Sequence, residues 1–157
     1  MRRAAGLALL AVLLLAGCAG EGGDDGDGRG RATCTPAVDP AAAPRYASNI
    51  QPIYDRSCAL AGCHASVAPA QALDLSPGRS FGATVNRRST QVASRALIEP
   101  GDPDTSYLLG KVRGDPGIAG VLMPQGCPGN PLQGAQCLTP DEINAVETWI
   151  LACAPDN

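Results

Sequence analysis

The chain has 157 residues, with 12 lysines and arginines, 15 aspartates and glutamates, one histidine and a formal net charge of −3. With so small a charge and no basic stripe, nothing points to nucleic acid as a partner. One Phe, one Trp and three Tyr stand against 14 Pro and 19 Gly, so the folded part must draw on cross-links or a bound cofactor as well as an apolar core.

In chain order, Met1-Arg2-Arg3 is followed by an apolar run from Ala4 to Leu15. That run is too short for an ordinary membrane span and fits a signal peptide. It closes on Leu15-Ala16-Gly17-Cys18, which resembles the lipobox of bacterial lipoproteins. The resemblance implies removal of residues 1–17 and lipidation of Cys18 by several acyl chains, which anchor stably where one is marginal. Ala19, not Asp, follows the cysteine and resembles lipoproteins sent onward to the outer membrane. The expected location is therefore the cell envelope, lipid-anchored and facing the periplasm or the exterior.

Gly20 to Gly30 holds six glycines and four acids in eleven residues and cannot bury a core. Its aspartates lack the spacing and closing Glu of a calcium loop. Residues 18–44 read as a flexible tether ending near Ala41-Ala42-Ala43-Pro44. About 25 such residues wander only about 25–30 Å, which keeps partners close to the membrane surface.

Residues 45–157 make one domain's worth of chain. A first helix is expected from Asn49 to about Ser57, with Ile50, Ile53 and Tyr54 as its apolar stripe. A short second one is expected from Thr105 to Val112, with Asp104 as its cap. Thr139-Pro140-Asp141-Glu142 combines an N-cap, a first-turn proline and a capping-box glutamate. Ile143, Val146, Trp149 and Ile150 then carry that helix to about Ala152. No alternating run marks a sheet, so the expected class is all-α, with long Gly/Pro-rich loops.

Setting Cys18 aside, six cysteines remain: Cys34, Cys58, Cys63, Cys127, Cys137 and Cys153. An even number outside the cytoplasm normally pairs. Two are set apart, because Cys58-Ala-Leu-Ala-Gly-Cys63-His64 places the chain's one histidine directly after a closely spaced pair. In c-type cytochromes two such sulfurs join haem and the adjacent histidine binds its iron. Beyond Met1, the only methionine is Met123, in Val121-Leu122-Met123-Pro124. Thioether and imidazole form an established axial pair, and the proline stiffens the loop. The plainer reading of Met123 is a filler of core gaps.

Taken together, residues 45–154 resemble the monohaem cytochrome c-like domains of bacterial lipoproteins and other exported proteins. The resemblance rests on Asn49-Ile50-Gln51-Pro52-Ile53, the Cys58/Cys63/His64 motif and Leu73-Asp74-Leu75-Ser76. It continues through the turn and helix from Glu99-Pro100-Gly101-Asp102 to Tyr107-Leu108, then Met123-Pro124 and the closing Glu147-Thr148-Trp149-Ile150. It implies a small all-α fold whose first and last helices cross near the haem edge. It further implies one covalent haem c on Cys58 and Cys63, His64 as proximal ligand and Met123 as distal ligand. The function it implies is electron transfer to redox partner proteins, not catalysis on a substrate. The departure is the cysteine spacing, four residues where two are usual.

Four cysteines are then left for disulfides, and three pairings are open to them. The preferred one closes the turn-rich loop between Cys127 and Cys137 and leaves Cys34 for Cys153, each bridge contributing roughly 2–4 kcal/mol. The main alternative is a haem-free lipoprotein with Cys58–Cys63 as a third disulfide, acting as a structural or binding module. A zinc site on Cys58, Cys63 and His64 has suitable ligand types. Haem peroxidase chemistry lacks an open sixth position. Gly78-Arg79-Ser80-Phe81-Gly82 matches a hydrolase elbow, but no strand precedes it and no histidine follows. Arg87, Arg88, Lys111 and Arg113 read as solvated surface, with a docking patch as the alternative. The carbonyl expected to orient the His64 ring is that of Pro69 or Pro77.

Overall fold

The computed structural model describes residues 33–65 and 67–157. The signal segment, Cys18 and the tether through residue 32 lie outside the described residues. A π-helical turn, Tyr46–Ile50, runs directly into α1, Gln51–Ser57. Three further helices follow: α2 Ser80–Thr84, α3 Tyr107–Arg113 and α4 Pro140–Leu151. Two 3-10 turns lie at Ala70–Ala72 and Leu132–Gly134. Among the described residues the only β pairings are isolated bridges, so the domain is helix and loop as expected.

The local causes are legible. Thr139 accepts from the Glu142 N–H and Glu142 reaches back to the Thr139 N–H at 2.9 Å, completing the capping box of α4. Val146, Trp149 and Ile150 on that helix are fully buried. The first helix is wider than expected at its start. The Ile50 N–H reaches the Arg45 carbonyl five residues back, and Pro52 at the start of α1 lacks an N–H to misplace. The second expected helix starts later than Thr105. Ser106, not Asp104, occupies its N-cap, because the Asp102 carboxylate takes the Thr105 N–H in a turn of its own. It ends on Gly114 at φ 76°, where a side chain would strike Leu122.

The few aromatic residues are gathered in one place. Tyr46 packs against Trp149 at 5.3 Å and Phe81 at 5.1 Å between ring centroids, with Tyr54 beside them. Such pairs add about 0.5–1.5 kcal/mol each beyond simple burial. The Trp149 indole donates to the Pro155 carbonyl, and the Ala47 N–H donates to that of Asn157. The first helical segment, α4 and the chain terminus thus form one knot, continued by Ile50, Ile53, Ile98, Leu109 and Val146.

Cys34 is bonded to Cys153 and Cys127 to Cys137, the preferred pairing. The described chain begins at residue 33, upstream of Arg45. The Cys34 bridge and the hydrogen bond from Ala37 to the Leu151 carbonyl secure that extra segment to the end of α4. No helix among the described residues is long and apolar enough to cross a membrane.

Candidate cofactor site

The cysteine–histidine loop is shaped by its backbone. At the end of α1 the Tyr54 carbonyl accepts from both the Cys58 and Ala59 N–H groups. The His64 N–H then returns to the Cys58 carbonyl at 3.1 Å, and the Cys63 carbonyl accepts from Ala70. These bonds fold the four intervening residues into a closed ring that sets Cys58 and His64 side by side in the chain path. The His64 carbonyl in turn accepts from Leu75, a core residue, so the ring is fixed to the interior.

The imidazole is oriented by Ala70, whose carbonyl lies 3.1 Å from Nδ1. Neither Pro69 nor Pro77 fills that role: the chain turns at Ala70–Ala72, which brings the carbonyl one residue beyond Pro69 under the ring. Burial lowers the His64 pKa, the Ala70 and Leu73 carbonyls pull it back up, and Lys111 lowers it further, for a net decrease. A histidine whose Nδ1 donates to a backbone carbonyl has its ring orientation fixed, as in metal-binding histidines, with Nε2 the remaining nitrogen.

Cys58, His64 and Met123 line one cavity of about 270 Å³. Its walls include Leu73, Leu75, Leu97, Leu108 and Val112. The volume is just below the roughly 300–1,000 Å³ common for ligand sites, and the cavity opens to solvent, so a larger planar ligand would project from it. The sixty-residue gap in sequence between His64 and Met123 is closed by α3, since the Met123 N–H donates to the Lys111 carbonyl at 2.9 Å. Cys63 does not line the cavity.

The cysteines fall into two groups. Four form disulfides, while Cys58 and Cys63 remain free thiols. Burial pushes the Cys58 thiol up to about 12, against a smaller pull downward from Arg56. Among the described residues no three His, Cys, Asp or Glu side chains come together as a metal cluster, so Cys58, Cys63 and His64 are not gathered around a common zinc position.

A covalent haem is a group for which these residues supply the ligand types. Two thiols are free in a chain whose other described cysteines are paired, and His64 and Met123 line the same cavity. Cys58 and Cys63 would hold the ring through thioether bonds, and His64 and Met123 would supply a nitrogen and a sulfur to its iron.

Four basic residues expected at the surface part company here. Arg87 and Arg88 are exposed, and Arg113 pairs with Glu147. Lys111 is only 6 % exposed, and its ammonium donates to the Ala119 carbonyl at 2.8 Å and to that of Val121. Burial lowers its pKa. No surface patch of the four exists, because α3 turns Lys111 inward to close a loop that only the tertiary fold brings there. Ser80 of the elbow-like motif is fully buried in α2 and bonded to Tyr46 and Gln51, which makes it a structural hydroxyl. Arg88, Ser89, Thr90 and Gln91 also line the cavity, with no motif in the sequence to mark them.

Comparison with protein-family models, with curated proteins and with solved structures yields no match.

Proposed function

We propose that the protein is an electron carrier of the cell envelope, a c-type cytochrome with one covalent haem held by Cys58, Cys63, His64 and Met123. The observation that carries this reading is the convergence of Cys58, His64 and Met123 on one apolar cavity. The free state of Cys58 and Cys63 supports it against the haem-free alternative, which needs those two sulfurs in a disulfide.

When bound, haem supplies reversible one-electron chemistry. The chain's own part is to hold ligands still. Ala70 fixes the imidazole through Nδ1, and the Lys111 carbonyl fixes the backbone of Met123. The Cys127–Cys137 bridge begins three residues beyond Pro124, whose carbonyl accepts from the Cys127 N–H. Ligands held in this way would rearrange little when the oxidation state changes. A thioether ligand beside the apolar side chains of this cavity would raise the reduction potential.

The test is an absorption spectrum of the full chain matured in cells with cytochrome c assembly machinery. Haem that survives acid-acetone extraction is expected, with a sharp reduced α-band and a weak sulfur-to-iron band lost in Met123→Ala. A colourless, folded protein without free thiols would assign Cys58 and Cys63 to a disulfide and overturn the reading.

A further inference from the structure

Lys111 is the unusual member of the cavity wall. It sits within α3, and it makes three bonds to the loop that carries Met123. Its ammonium donates to the carbonyls of Ala119 and Val121, and its own carbonyl accepts from the Met123 N–H. The three anchors fall on residues 119, 121 and 123, so the segment is laid along α3 by alternate residues. Tyr107, one turn earlier on the same helix, adds a fourth anchor by accepting from the Ala119 N–H at 3.1 Å.

A loop can be secured with neutral groups, and burying an ammonium is costly. Here no carboxylate offsets it: among the described residues no Asp or Glu lies within ion-pair distance of Lys111. The cavity lining includes Lys111 and Arg88 and no acid, although acids outnumber bases in the chain. A cation held by two carbonyl dipoles of the segment that leads to Met123 has two consequences. It fixes the loop, and it makes the less positive oxidation state of a bound redox centre the more stable one.

We propose that Lys111 is the positioning residue for Met123 and sets the reduction potential of the site through its buried charge, an inference that rests on the cytochrome reading above.

The experiment compares the full-length chain with Lys111→Met, which keeps length and apolar bulk but removes donors and charge, and with Tyr107→Phe, which removes one anchor and leaves the charge. In haem-free chain, amide hydrogen exchange at residues 119–123 should rise at least tenfold in Lys111→Met. In haem-loaded chain, Lys111→Met should keep its covalent haem and far-UV dichroism yet lose most of the sulfur-to-iron band. Its one-electron equilibrium should shift about tenfold toward the oxidised form, a potential about 59 mV lower. Tyr107→Phe should speed exchange while moving the potential much less. Should Lys111→Met not fold, Lys111→Gln, which retains one donor without the charge, is read by the same criteria. An unchanged band and potential in a folded Lys111 variant overturns the inference while leaving the cytochrome intact. Absence of covalent haem from the parent chain is the distinct failure of the cytochrome reading itself.

Discussion

The two halves of the domain are built by different means. Around α4, order comes from buried side chains: Trp149, Ile150, Val146, Tyr46 and Ile50 exclude water from one another. Around the cavity, two stretches run without a single Asp, Glu, Lys or Arg, residues 57–73 and 116–138. Much of them is exposed, and their shape is kept by backbone hydrogen bonds, by the short Cys127–Cys137 bridge and by anchors reaching in from α3. Gly126 shows how tight this half is, since at φ 93° a side chain there would collide with the Asn130 carbonyl. The first half is a core that could stabilise any small protein. The second is a frame shaped around an opening, and it carries every residue assigned to the cofactor.

Removing the two disulfides separately is the strongest way to break this comparison. The Cys34–Cys153 bridge spans 119 residues and the Cys127–Cys137 bridge spans 10. Replacing Cys34 and Cys153 by alanine should cost about 4–5 kcal/mol by restored chain entropy, and replacing Cys127 and Cys137 about 2–3 kcal/mol. Chemical denaturation measures both. The smaller loss should nevertheless disturb the Met123 spectrum more, because it falls in the loop half; equal spectral effects would erase the distinction between the halves.

Ser80→Ala sharpens the picture of the core side. It removes a fully buried hydroxyl bonded to Tyr46 and Gln51, and it should cost about 1–3 kcal/mol in a urea melt. The effect should be on stability alone, with the haem spectrum unmoved.

The smallest effect concerns the start of α4. Burial raises the Glu142 pKa, but the Thr139 N–H and the Arg56 guanidinium outweigh it and hold the carboxyl below its ordinary 4.5. A carboxyl depressed in the folded state stabilises above its unfolded pKa, and that contribution fades as pH falls through the folded value. Glu142→Gln should therefore flatten the acid limb of the stability profile below about pH 4.5. Thr139→Ala should cost about 1 kcal/mol at neutral pH. An acid limb identical to the parent's would remove Glu142 from the account.

Much of this was written locally. The capping box at Thr139 and the stripes on α1 and α4 depend on neighbours three or four residues apart, where sequence and structure speak the same language. The singularity of His64 and Met123 is likewise a property of the chain alone. The sequence by itself determined an all-α domain, its cysteine groups and its candidate ligands. Tertiary structure decided that Met123 lies on the same cavity as His64, that Ala70 supplies the orienting carbonyl, and that Lys111 points inward with Arg88 at the rim. The physical reason is range: helix caps follow from bonds across one turn, whereas this cavity is closed by groups as far apart in sequence as Cys58 and Met123, whose meeting is fixed only when the whole core has packed.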